Sequence, residues 1–203
     1  MIVIVDYGLG NLRSVQKAFE RIGVHAQISG DVSVIQKSER LVLPGVGHFA
    51  KGMENLKRSG LIEVLNKRVL QDKTPILGIC LGMQLMTSHS EEGDCEGLNW
   101  IDAQTIKFEK DPTKKFKVPH IGWNSIELKN QSNIISGLES DAQFYFVHSY
   151  YVICNDESDV LSRTEYGRNF HSGFQKDNII GVQFHPEKSY TNGLQMLKNF
   201  SVL

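Results

Sequence analysis

Apolar residues in this chain cluster in short runs, most of them closed by a glycine-containing turn. Residues 2–5, IVIV, are followed by DYGLGN; 40–47 read RLVLPGVG, 74–81 TPILGICL and 178–184 NIIGVQF. Aliphatic runs of this length without polar alternation predict strands buried on both faces, as in a parallel sheet. Between them the period changes. Leu12, Val15, Phe19 and Ile22 recur every three or four residues, which predicts a helix with Asn11 as its cap and Gly23 as its stop. HAQIS (25–29) is a further strand, and 53–70, MENLKRSGLIEVLNKRVL, contains helix. This alternation of strand and helix defines an α/β chain.

From about 100 to 166 the pattern changes. AQTIKF, WNSIEL, QFYFVHSYYVI and VLSRTEY read as strands joined by turns, which predicts an antiparallel sheet or flap, and TNGLQMLKNF (191–200) closes the chain as a helix with Leu194, Leu197 and Phe200 on one face. The expected fold is α/β, a mostly parallel central sheet flanked by helices with a smaller antiparallel sheet or flap in the middle of the chain. No repeat or linker divides it, so residues 1–203 are expected to form one domain. The charged stretch FEKDPTKKFK (108–117) reads as an exposed loop.

Composition narrows the function. Twenty-two Lys and Arg against 23 Asp and Glu leave a net charge of −1, too little positive field to hold a phosphate backbone, so nucleic acid is not expected as a partner. No uncharged apolar run approaches the ~20 residues needed to cross a bilayer, and MIVIVDYGLGN lacks a basic flank, so a cytoplasmic protein without a membrane partner is expected. Three cysteines without a C-x-x-C pair argue against a disulfide framework, and seven histidines without H-E-x-x-H spacing give no reason to expect a metal or cofactor.

Candidate chemistry sits at the ends of the apolar runs. Gly78, Cys80 and Gly82 form G-x-C-x-G, the spacing of a nucleophile elbow with sulfur in place of hydroxyl; side chains at the glycine positions would collide with the neighbouring strand and helix. A thiol at a helix N-terminus is favoured as thiolate but needs a base. GVQFHPEKS (181–189) places His185 and Glu187 two residues apart, which in extended backbone would point imidazole and carboxylate the same way. In LPGVGHF (43–49), Gly45 and Gly47 flank Val46 and would let backbone N–H groups turn toward a cavity, as an oxyanion hole requires. Cys95 and Cys154 lack such surroundings and read as structural.

Together PGVGHF, GICLGMQL and GVQFHPEKS closely resemble the class I glutamine amidotransferases. DYGLGN, VPHIGWN and YFVHSYYV narrow the likeness to the branch of glutaminase subunits that serve imidazole glycerol phosphate synthesis in histidine biosynthesis. The resemblance covers nearly the whole chain. It implies that Cys80 attacks the side-chain amide of glutamine, that His185 moves the protons with Glu187 holding it, and that the N–H groups of Val46 and Leu81 stabilise the oxyanion. Gly45, Gly47, Gln84, Glu92, Ser149 and Tyr150 would grip the substrate. It also implies a separate (β/α)8 synthase or cyclase subunit docking near His120 and Trp123 to receive the ammonia, in a heterodimer. Three other readings stand beside it: a related glutaminase supplying ammonia for amination or amidination of a bacterial surface sugar, a stand-alone cysteine hydrolase or peptidase, and a non-enzymatic regulatory binding module.

Overall fold

The computed structural model of the chain describes residues 1–109 and 116–203, so part of the predicted loop, residues 110–115, lies outside the described residues. The strands are β1 (Ile2–Val5), β2 (Ala26–Ser29), β3 (Arg40–Gly45), β4 (Ile76–Cys80), β5 (His89–Ser90), β6 (Cys95–Glu96), β7 (Ala103–Lys107), β8 (His120–Ser125), β9 (Glu127–Leu128), β10 (Gln143–His148), β11 (Tyr150–Cys154), β12 (Val160–Glu165), β13 (Asn169–Lys176) and β14 (Ile179–Val182). The helices are α1 (Leu12–Arg21), α2 (Val32–Gln36), α3 (Phe49–Arg58), α4 (Leu61–Asn66), α5 (Leu81–Leu85) and α6 (Tyr190–Phe200).

The predicted fold class holds. Strands run in the order β2-β1-β3-β4-β14-β13-β11-β7-β5-β6, parallel from β2 to β14 and mostly antiparallel beyond, while β8 and β10 pair as a separate antiparallel two-stranded sheet. Period-two side chains explain why the parallel strands are apolar throughout. Ile2, Ile4, Val42, Leu77 and Ile79 face one core with α1 and α6. Val3, Val5, Leu41, Leu43 and Ile76 face the other with α3, α4 and α5.

Several local expectations need correction. Asn11 precedes α1, but its side chain makes no capping bond and instead accepts from the Ser14 hydroxyl at 2.8 Å. Gly23 does stop the helix, at φ +74°. The helical stretch after residue 53 is two helices, broken at Gly60, whose φ of +68° leaves the right-handed region. QFYFVHSYYVI is two strands in different sheets: β10 pairs with β8, and after Ser149 β11 pairs with β7 and β13. WNSIEL is likewise divided between β8 and β9. β13 was not expected, because its inward positions include His171 and Ser172, which are buried and bonded to the Cys154 N–H and the Ser162 hydroxyl.

This topology brings three strand ends together. Gly45 of β3 is in register with Cys80 of β4, and Val182 of β14 with Ile79 of β4, so the segments after β3, β4 and β14 leave the sheet side by side. Clefts in parallel α/β sheets form at such carboxyl ends.

Candidate active site

Cys80 ends β4 and precedes α5 with φ +54° and ψ −110°, a conformation that side-chain-bearing residues rarely adopt. The flanking glycines are required by contact. A Cβ at Gly82 would lie 1.7 Å from the Leu43 carbonyl oxygen of β3, and one at Gly78 would lie 2.8 Å from the Met83 nitrogen and 2.9 Å from the Gly82 oxygen in the following helix. The turn therefore packs directly against its neighbouring strand and helix, and the sulfur is presented at the sheet edge.

His185 and Glu187 meet beside it. His185 Nδ1 lies 2.8 Å from Glu187 Oε1, and both side chains are 1% exposed. The expected extended backbone is absent: Pro186–Lys188 is a turn of 3-10 helix with Pro186 at its first positions, so curvature rather than pleat brings the carboxylate back to the ring. The His185 N–H donates to the Tyr145 carbonyl at 2.9 Å, and its own carbonyl accepts from Ser189 Oγ at 2.6 Å. Burial alone would lower the imidazole pKa. The charge and hydrogen-bonding capacity of the Cys80 sulfur, then the Glu187 carboxylate, outweigh burial and raise it to about 10. Nε2 has no hydrogen bond of good geometry, which leaves it available to the sulfur and to a ligand.

Cys80 opens into a cavity of about 240 Å³, lined also by Gly47, Gln84, Glu92, Pro119, Val147, His148, Ser149 and Tyr150. Gln84 Nε2 donates to the Tyr150 carbonyl at 3.1 Å and to Gln183 Oε1 at 3.0 Å, so its oxygen is the end left for a ligand. One Glu92 oxygen accepts from the Phe49 N–H at 2.7 Å, at the start of α3, and the second oxygen is left for the cavity. His148 Nδ1 lies 2.7 Å from the Tyr150 carbonyl, and its Nε2 lies 3.0 Å from His120 Nδ1. Burial lowers both imidazoles, His148 to about 3 and His120 to about 4, so both are neutral at pH 7.

A family model described as Glutamine amidotransferase class-I matches residues 3–203. This chain belongs to that family. Among curated relatives it is 51% identical over 200 residues to Imidazole glycerol phosphate synthase subunit HisH 2 of Methanococcus maripaludis, covering 98% of each chain. It is 48% identical over 204 residues to subunit HisH 1 of Campylobacter jejuni subsp. jejuni serotype O:23/36, covering 100% of each, and 44% identical to subunit HisH 2 of Pseudomonas aeruginosa, covering 98% of each. Solved structures share the fold at lower identity. One is the structure of PurLQS from Thermotoga maritima (TM-score 0.74, 17% identity, 99% of this chain and 96% of that one). Another is a crystal structure of a glutamine amidotransferase (TM-score 0.73, 17% identity, 98% of this chain and 96% of that one).

Within this amidotransferase fold, the loop after β3 completes the rim. Gly45 is packed, since a Cβ there would lie 2.6 Å from the Tyr7 hydroxyl oxygen and 2.8 Å from the Leu81 Cβ. Tyr7 donates to the Pro44 carbonyl at 2.9 Å, and burial, then the charge of Cys80, raises its pKa. Val46 is 39% exposed and Gly47 takes φ +113°, while Leu81 is buried. His120 needs correction as a partner contact. It lies on the inner face of β8, stacked on Tyr166 and Phe146 and 2% exposed, whereas Ile121 and Trp123 on the outer face are 59% and 44% exposed. Trp123 stacks on exposed Tyr190 at 5.2 Å with the rings 6° from parallel.

The structure thus brings Cys80, His185 and Glu187 together, with Gln84, Glu92, Ser149 and Tyr150 around one cavity. Sequence reasoning missed Gln183, Tyr7 and His148. The signal for Gln183 is a lone amide in the apolar run GVQF; for the other two it lies in DYGLGN and VHSYY. Among the described residues, no group of three or more His, Cys, Asp or Glu could hold a metal, and no helix is long and apolar enough to cross a membrane.

Proposed function

We propose that this chain is a glutaminase subunit in which residues 1–203 act as one amidotransferase domain. The Cys80 sulfur attacks the side-chain amide carbon of glutamine, and its proton passes to His185 Nε2 while Glu187 holds Nδ1. The N–H groups of Leu81 and Val46 stabilise the tetrahedral oxyanion. Collapse breaks the C–N bond, His185 protonates the departing nitrogen, and ammonia leaves a γ-glutamyl thioester. Water, deprotonated by His185, releases glutamate and restores the thiol. Gln84, Glu92 and the backbone at Gly45, Gly47, Ser149 and Tyr150 grip the substrate. The observation that carries this reading is the positive-φ Cys80 at the mouth of the cavity, facing an imidazole whose other nitrogen is bound to a buried carboxylate.

Ammonia released into water at neutral pH is mostly protonated and no longer nucleophilic. A partner must therefore take it directly, and we assign that role to a separate (β/α)8 synthase subunit docked over the exposed Ile121 and Trp123, in the cytoplasm. The names of the relatives, subunits of imidazole glycerol phosphate synthase, support histidine biosynthesis as the pathway. Because the acceptor does not touch Cys80, His185 or Glu187, the same triad also serves a second reading, in which the partner aminates a surface sugar. Purification of the chain with its barrel protein, followed by assay of glutamine hydrolysis with the ribulosyl intermediate of the histidine pathway, tests both. Hydrolysis that is slow alone and rises when barrel and intermediate are added supports the first reading. A barrel that ignores the intermediate supports the second, and full-rate hydrolysis by the free chain contradicts dependence on a partner.

A further inference from the structure

We propose that Gln183 is a catalytic residue: its amide N–H supports the ionised Cys80 sulfur, and Gln84 fixes which end of that amide faces the sulfur. This rests on the reading of Cys80 as the nucleophile. Val182 is in register with Ile79, so Gln183 and Cys80 follow neighbouring strand ends. Gln183 is fully buried at the end of an apolar strand, where an amide is costly unless both its ends are bonded. Both are. Its Nε2 lies 3.7 Å from Cys80 Sγ, within range for a donor to sulfur, and its Oε1 accepts from Gln84 Nε2 at 3.0 Å.

The direction follows from a fixed acceptor. The Tyr150 carbonyl can only accept, so the Gln84 nitrogen must face it, at 3.1 Å. The second Gln84 N–H then demands the Gln183 oxygen, which leaves the Gln183 NH2 for the sulfur. The carbonyl is itself held by the Nδ1–H of His148; neutral His148 must then accept at Nε2, from the Nδ1–H of His120, whose Nε2 faces Asn124 Nδ2 at 3.4 Å. With Gln183 reversed, a carbonyl oxygen would oppose the sulfur and two NH2 groups would oppose each other. A further polar neighbour of the sulfur, the Val147 carbonyl at 3.9 Å, can accept from a thiol and repels a thiolate. Beside His185, Gln183 is thus the group placed to favour the thiolate.

The test is the rate of Cys80 alkylation by iodoacetamide as a function of pH, without glutamine, read by peptide mass spectrometry, with partly exposed Cys95 as an internal control. In Gln183→Met the rise of rate with pH is displaced upward by about one unit, so alkylation on the rising limb slows about tenfold, the size of a charge-assisted hydrogen bond. Gln84→Met gives a smaller displacement that adds nothing in the double variant, and Cys95 reacts as in the parent protein. In glutamine hydrolysis Gln183→Met lowers kcat and leaves KM, whereas Gln84→Met also raises KM. An unchanged Cys80 profile in folded Gln183→Met overturns the proposal. Should that variant not fold, the side-chain amide resonances of Gln183 in the parent protein decide: they follow the same pH midpoint as Cys80 alkylation, and their failure to move overturns it. Loss of the nucleophile reading has a separate signature, glutaminase activity retained by Cys80→Ala.

Discussion

Two neighbouring strand ends, the Cys80 turn and the loop at 44–47, both rich in glycine, are built to opposite purposes. Gly45 and Cys80 are register partners, yet the backbone on either side of Cys80 is closely packed: Gly82 sits against the Leu43 carbonyl and Gly78 against the backbone of α5. One residue beyond Gly45 the confinement ends. Val46 is 39% exposed, and a Cβ on Gly47 would meet nothing within 4 Å. In the proposed function this means that the nucleophile is preset by packing, while the loop has open space in which its N–H groups would turn to complete the oxyanion hole. The junction is Gly45 itself, enclosed by Tyr7 and Leu81.

If the elbow is set by packing, Gly82→Ala has the largest effect. The added methyl collides with a backbone oxygen that cannot yield without moving β3, so a loss of about 4 kcal/mol or more, or failure to fold, is expected in thermal unfolding. A variant melting with the parent protein breaks the comparison.

Two buried imidazoles supply the next effect. His120 and His148 stay neutral in the folded protein down to about pH 4 and 3, whereas unfolded histidine takes a proton near pH 6.5. The unfolded state therefore binds more protons as pH falls, and stability, intact above pH 6.5, is lost at about 1.4 kcal/mol per pH unit for each ring, about 4 kcal/mol for both by pH 5. Denaturant unfolding at pH 7 and 5 measures this. A variant lacking His148 should lose that ring's share of the slope and keep the share of His120, and a flat response in the parent protein contradicts the assignment.

Glu187→Gln keeps the shape but removes the carboxylate that helps His185 hold a proton. A fall in kcat of about 10²-fold with KM nearly unchanged is expected in glutamine hydrolysis, consistent with loss of general acid–base function. A change confined to KM would assign Glu187 to binding instead. The smallest effect belongs to the loop. Gly47→Ala meets no neighbour, so its cost is the strain of φ +113°, about 1–2 kcal/mol, and its main consequence is slower turnover from a stiffer loop. Destabilisation as large as that of Gly82→Ala would erase the contrast between the two glycines.

What could be read from the chain before its fold follows the range of the interactions. IVIV, RLVLPG and ILGIC were legible because burial on both faces leaves an unbroken apolar run, and the Cys80 elbow because sterics dictate glycine two residues to either side. The break at Ser149 was hidden, since β10 and β11 are both apolar and only their pairing differs. The pairing of His185 with Glu187 was anticipated for the wrong reason: a proline-initiated turn, not a pleat, makes it. Gln183 and His148 were silent because their partners, Cys80 and His120, lie 103 and 28 residues away. The resemblance implied both His120 and Trp123 as partner contacts without distinguishing them, whereas strand alternation puts even and odd positions of β8 on opposite faces, so that His120 is buried and Trp123 exposed.

The most direct test of the whole account is acid quenching of the enzyme during glutamine turnover, with mass measurement of the peptide carrying Cys80. A γ-glutamyl adduct on that peptide, absent in Cys80→Ala together with glutamine hydrolysis, is the predicted result. Hydrolysis at the parental rate by Cys80→Ala would contradict it.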